Sequence, residues 1–190
     1  MNREHKMWIQ NIAYTDVKNG YHYDAGPNSM MINIVDPGME FPQPLYKFKE
    51  IHRFEFLDIE SDGLTNLGDG EMTDMSEFAI TDEQAKELVR LLKHALDNKM
   101  NVVVSCVAGI CRSGAVAEVG TILGFEDTET FRSPNLLVKH KMMKELGMTY
   151  DEDEKHSING KPLDEDWIDD NEKIFILANN RRKYRVLTGK

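Results

Sequence analysis

The sequence predicts one α/β domain with a mainly parallel central sheet flanked by helices. Three observations lead there. Asn101–Ser105 (NVVVS) is an unbroken β-branched run, as in a strand buried on both faces. An amphipathic helix pattern precedes it and an Ala/Val-rich helix pattern follows it, and strand between helices is the signature of a parallel crossover. The length of 190 residues, with 41 % hydrophobic residues, suits a single core of that kind.

The elements follow in order. Trp8–Tyr14 and Met30–Val35 are short apolar runs, the second closed by the turn signal Asp36-Pro37-Gly38. Ile51–Ile59 alternates around Phe54, Phe56 and Asp58, which predicts a strand. Thr81-Asp82-Glu83-Gln84 has the form of a capping box. Behind it Ala85, Leu88, Val89, Leu92, Ala95 and Leu96 recur at helical spacing, predicting a helix over Thr81–Asn98. Further helices are expected over Arg112–Leu123 and Asn135–Leu146, the latter stopped by Gly147. Pro134-Asn135 is its start signal, and the Asn could also orient a neighbouring loop. Asp151–Glu154 is expected to be a solvated acidic loop. A last helix, Asp169 to Tyr184, begins acidic and ends in Arg181-Arg182-Lys183, matching the helix dipole. This organises the chain as a domain over 1–150 and a C-terminal extension over 151–190, packed on or flanking it.

Composition narrows the function. The net charge of −10 argues against a nucleic-acid partner on electrostatic grounds, and the basic run at 181–185 is expected to be a solvated helix end. No apolar run reaches the roughly 18 residues of a membrane span. The charged start, Met1 to Lys6, does not lead into a secretory signal core. Two cysteines support neither a disulfide framework nor a four-thiolate zinc site, which fits a reducing, cytoplasmic setting. His5, His22, His52, His94, His140 and His156 show no ligand spacing, so no metal and no cofactor is expected. Tyr14, Tyr21 and Tyr23 could line an aromatic slot, but lone aromatics belong more often to a core.

The informative segment is Ser105-Cys106-Val107-Ala108-Gly109-Ile110-Cys111-Arg112-Ser113, between the buried strand and the helix. Given a cysteine, chance supplies Gly, Arg and Ser/Thr at those offsets about once in 2,000 tries at average composition. A loop of this length can turn successive N–H groups inward as an anion nest, reinforced by the helix N-terminus. Gly109 permits a φ other residues resist and leaves space for a bound oxyanion. Arg112 offers a planar fork for two phosphate oxygens. Dipole, N–H groups and guanidinium all favour the Cys106 thiolate, and the Ser113 hydroxyl can donate to the sulfur. The competing reading, a small buried core cysteine, needs neither Gly nor Arg at fixed offsets.

Cys106, Gly109, Arg112 and Ser113 resemble the signature of the cysteine-dependent protein tyrosine and dual-specificity phosphatases, His-Cys-x-x-Gly-x-x-Arg-Ser/Thr. Upstream, Met31–Pro37 and the Phe-x-Phe-x-Asp-Ile run ending at Ile59 are similar to small bacterial and bacteriophage members. The resemblance covers about residues 8–147. It implies a protein-tyrosine-phosphatase-like fold, hydrolysis of phosphotyrosine with phosphoserine/threonine left open, a phosphorylated protein or peptide as partner, and location in the cytoplasm, the host's if phage-encoded. It assigns Cys106 as nucleophile, Arg112 as phosphate clamp and Ser113 as the hydroxyl aiding thiolate release, with Val107 to Arg112 as the phosphate-binding loop. The sequence departs from the signature at Ser105, where the family has His. A second, non-enzymatic reading is therefore a module that binds phosphorylated partners. A third is arsenate reduction, disfavoured because only one further cysteine is present.

The resemblance also implies an Asp general acid after the strand that precedes the helix before the cysteine loop. Asp58 is the first choice, with Asp62 and Asp74 as alternatives and Asp69 behind them. Solvated loop carboxylate is the bland alternative for each. Asp58-x-Glu60-x-Asp62-Gly63 also begins like a calcium loop, but Thr65 and Asp69 miss its eighth and twelfth positions, and a helix should precede it. Cys111, in the same loop, is a possible redox partner that could trap an oxidised Cys106 as a disulfide. Val107, Ala108 and Ile110 are apolar, which speaks against a polyanionic phosphoinositide.

Overall fold

A computed structural model describes residues 6–60, 64–66, 71–158 and 161–162. The elements are β1 (Trp8–Ala13), α1 (Tyr14–Asn19), β2 (Ser29–Val35), β3 (Glu50–Glu55), β4 (Leu64–Asn66), β5 (Met72–Asp74), α2 (Asp82–Asp97), β6 (Asn101–Cys106), α3 (Arg112–Leu123), β7 (Glu126–Asp127), α4 (Leu136–Glu145), β8 (Ser157–Ile158) and β9 (Lys161–Pro162). Five strands form an all-parallel sheet in the order β3-β2-β6-β1-β7. β4 with β5, and β8 with β9, form separate antiparallel pairs. The parallel α/β class is therefore as the sequence predicts. No helix among the described residues is long and apolar enough to cross a membrane.

Strand periodicity divides two cores. Ile9, Met30, Ile32, Ile34, Val102, Val104 and Cys106 meet α2, α3 and α4 on one face. Ile12, Met31 and Val103 meet Val17 of α1, Ala25 and Phe48 on the other. β2 is buried along its whole length, as its uninterrupted apolar run requires. The sequence does not announce α1, a six-residue helix that takes over Tyr14 from the expected first strand.

The helix boundaries follow their caps. Thr81 Oγ1 accepts from Gln84 N (3.1 Å) and Gln84 Oε1 from Thr81 N (3.0 Å), the reciprocal box read in the sequence. Asn135 caps α4, its Oδ1 accepting from Val138 N at 3.0 Å, and Gly147 takes φ +66° just beyond it.

Two expectations need correction. The third strand ends at Glu55, not Ile59. Phe56 N still donates to Val35 O (3.2 Å), but Leu57 N donates to Phe78 O (2.8 Å), which pulls the chain off the sheet. The acidic stretch after α4 is not wholly solvated either. Asp151–Asp153 are exposed, whereas Glu154 is partly buried against Lys139 and His140 of α4. The predicted helix over 169–184 lies outside the described residues.

Because the sheet is parallel, the ends of β1, β2, β3 and β6 open on one edge. β6 sits at its centre, with connections leaving to both sides. Ligands of open α/β sheets bind at that carboxyl edge, and the cysteine loop is there.

Candidate active site

Cys106 closes β6 and Arg112 opens α3, so residues 107–111 are the whole connection. Cys106 is 2 % exposed and its Sγ lies 3.1 Å from Ser113 Oγ, in hydrogen-bonding contact. The two cysteines form no disulfide with each other. Cys111 is buried and supplies the residue before the first turn of α3.

The loop is tied outward through its carbonyls. Val107 O accepts from Tyr14 N (3.4 Å), Gly109 O from Asn11 Nδ2 (2.7 Å) and Ile110 O from Ser133 N (3.2 Å). Cys111 O accepts from Asn135 N and Ala115 N, both at 2.9 Å. Asn11 also donates to Phe131 O (2.9 Å), joining β1 to the segment between β7 and α4. A cleft of about 520 Å³ opens beside it, lined by Asn11, Ala13, Asp16, Val107, Ile110 and Phe131 among others.

Gly109 has φ +73°, and a Cβ there would stand 2.3 Å from Ala13 N and 2.4 Å from Ile12 C. The sequence accounts for the φ. The missing side chain, however, makes room for the backbone of β1, a close approach with no local sequence signal.

Arg112 is 4 % exposed. Its Nη1 donates to Asp36 Oδ1 (2.8 Å) and to Phe56 O (2.7 Å), anchoring the fork to the ends of β2 and β3. Its Nε is buried and has no hydrogen-bond partner among the described residues. Burial opposes its charge, but the nearby Cys106, Asp58 and Asp36 outweigh that and hold the proton more firmly than usual.

Asp58 is partly buried on the segment following β3, and Asn135 Nδ2 donates to its Oδ1 at 2.6 Å. The same nitrogen donates to Ile59 O (3.1 Å). Asn135 thus links the loop carbonyl of Cys111, the Asp58 segment and the start of α4. Its helix-start signal is visible in the sequence; its contacts 76 and 77 residues away are not.

Asp62 and Asp69 lie outside the described residues. Asp74 is exposed at the end of β5, and its Oδ1 accepts from Ser76 N (2.9 Å). Hydrogen bonds from Ser76 hold its carboxyl below the ordinary range.

Ser105 sits on the opposite sheet face from Cys106, 1 % exposed, and donates to Asn33 Oδ1 at 2.7 Å. Asn33 is its register partner on β2. Sequence inspection missed Arg132, which is 4 % exposed and binds Asp127 with both Nη atoms (2.9 and 2.8 Å) and Glu118 with Nε (2.7 Å). It fixes the 128–135 segment to α3 and β7 rather than facing the loop.

The calcium-loop pattern lies partly outside the described residues. Strand β3, not a helix, precedes it, and Asp58 and Glu60 are drawn to separate partners. Among the described residues no three His, Cys, Asp or Glu side chains converge as metal ligands would. Tyr21 is 67 % exposed, so the core reading fails for it. Tyr14 is partly buried beneath the Lys18 ammonium, 5.3 Å from the ring centre.

Comparison with known families matches none. No curated protein matches significantly. Among solved structures, Tk-PTP in its active form aligns over 94 % of this chain and 94 % of its own, at 10 % identity and a TM-score of 0.39. Values that low assign neither family nor activity to this chain.

Proposed function

We propose that this chain is a phosphomonoester hydrolase of the cysteine-dependent phosphatase type, acting on phosphotyrosine and on phosphoserine/threonine in proteins or peptides. The observation that carries the reading is the state of Arg112. A guanidinium is buried beside Cys106, anchored through Nη1, with a buried Nε–H lacking an acceptor. An unsatisfied buried donor costs about 1–3 kcal/mol. A phosphate oxygen would satisfy it, and the charge of the oxyanion would answer that of the fork. The outward-tied carbonyls of residues 107, 109, 110 and 111 support an inner rim of N–H groups, the form of an anion nest.

The chemistry then runs in two displacements. The Cys106 thiolate attacks phosphorus. The S–P bond forms as the P–O ester bond breaks, and the departing oxygen takes the proton of Asp58. Water then attacks phosphorus, Asp58 takes its proton, and the S–P bond electrons return to sulfur, where Ser113 donates a hydrogen bond. Asp58 is favoured as the acid because Asn135 Nδ2 holds its Oδ1 while the Asn135 backbone N–H binds the loop carbonyl of Cys111.

Ser105 gives the alternative its footing. Its hydroxyl is spent on Asn33 across the sheet, so it offers the sulfur no charge, and a module that binds phosphorylated partners without turnover remains the competing reading. Hydrolysis of an aryl phosphate separates the two. Turnover inhibited by vanadate and lost in Cys106→Ser is the expected result. Binding of a phosphopeptide without turnover would reject the enzyme in favour of the module.

A further inference from the structure

We propose that Glu60 is a positioning residue for the general acid, and that the segment 150–158 is a strap that holds Glu60 in place through His156. The proposal rests on Asp58 being the acid. Glu60 lies two residues after Asp58, on a segment that has already left the sheet. Both of its oxygens are engaged. Oε1 accepts from Leu136 N at 2.9 Å, the first amide of α4. Oε2 meets His156 Nε2 at 2.9 Å. A carboxylate held at both oxygens by separate partners restricts the short stretch of backbone that carries it.

The strap has its own anchors. Glu154 pairs with Lys139 and with His140 Nε2 (2.8 Å), and His140 stacks on Tyr150 with ring centres 4.6 Å apart. A cleft of about 380 Å³ lies between α4 and residues 152–156, lined by Glu60, Leu136, His140, Glu154 and His156 among others. Residues 150–156 thus run along α4, held at Tyr150 and Glu154, and reach the acid-bearing segment through His156. Asn135 binds Asp58 Oδ1 and Ile59 O. Consecutive residues Asp58, Ile59 and Glu60 are each tied to the start of α4, and the strap adds a second tie to Glu60.

A purely structural Glu60 would change the amount of folded protein, not the chemistry of the leaving group. A general acid matters most when the leaving oxygen is a poor one. The test measures kcat/KM, which reports the first displacement, for full-length protein across aryl phosphates from 4-nitrophenyl to phenyl phosphate. The variants are Glu60→Gln, His156→Gln and Asp58→Asn. Glu60→Gln is expected to lose about twofold on the good leaving group and about tenfold on the poor one. His156→Gln should show the same trend at smaller size, and it reads the strap even if Glu60→Gln folds poorly. Losses equal across the series, or none, in both variants would overturn the proposal while Asp58→Asn stays steep. A flat response in Asp58→Asn would reject the acid assignment itself, and this proposal with it.

Discussion

Gly109→Ala tests how tightly the loop is docked against the sheet. Two costs can be separated. At φ +73° an alanine pays the left-handed penalty, about 1–2 kcal/mol. Its Cβ would also stand 2.3 Å from Ala13 N and 2.4 Å from Ile12 C, backbone atoms that cannot rotate away. Forcing such an overlap costs about 1–3 kcal/mol more. The total is about 2–5 kcal/mol. Gly38→Ala is the control, since Gly38 has φ +80° and nothing within 4 Å of a built Cβ. It should lose only the first cost. Equilibrium urea unfolding measures both, with an unchanged denaturant slope as the sign that compactness is unaffected. In a chain of this size each kcal/mol lowers the melting temperature by about 2–4 °C. If Gly109→Ala unfolds within about 0.5 kcal/mol of Gly38→Ala, the close approach of loop and β1 is not what the glycine serves.

Arg112→Lys keeps the charge but cannot span Asp36 and Phe56 O while presenting a second donor; kcat/KM for an aryl phosphate should fall about 100-fold, and a fall under threefold would contradict the clamp. Arg132→Met leaves Glu118 and Asp127 without their cation, and unfolding should come about 1–3 kcal/mol earlier, the exposure of Asp127 keeping the loss below that of a fully buried pair. Acid should destabilise the fold with a definite sign. Hydrogen bonds from His94 and His52 lower the Glu50 carboxyl, and those from Arg132 lower Asp127. Groups depressed on folding stabilise above their unfolded values, 4.5 and 3.8, and that contribution is lost as pH falls through the folded values. Stability followed by urea unfolding should therefore drop below about pH 4.5, with a shallower drop in Asp127→Asn; identical slopes would exclude Asp127 from it.

Local pattern carried much of the fold. The β-branched run of β6, the capping box at Thr81 and the glycine after α4 each act within a few residues, so each can be read in place. The placement of the cysteine loop between strand and helix is legible for the same reason, because the pattern is compressed into eight consecutive residues. What escaped depends on distant polar partners. Asn135 is written as a helix start yet also reaches Asp58, 77 residues upstream. Glu60 with His156, and Arg132 with Glu118 and Asp127, are ordinary charged residues until the fold brings them together. The end of β3 was misjudged because alternation continues through Phe56, while the turn away is set by Phe78, from another part of the chain. Gly109 was singled out correctly for its φ, but only the folded sheet shows β1 filling the space beside it.

The most direct measurement is rapid acid quenching of the full-length protein during turnover of a ³²P-labelled aryl phosphate, followed by peptide mapping. The mechanism predicts label on the peptide carrying Cys106, absent from Cys106→Ser and lengthened in lifetime by Asp58→Asn. Continued turnover with no label on that peptide would contradict it.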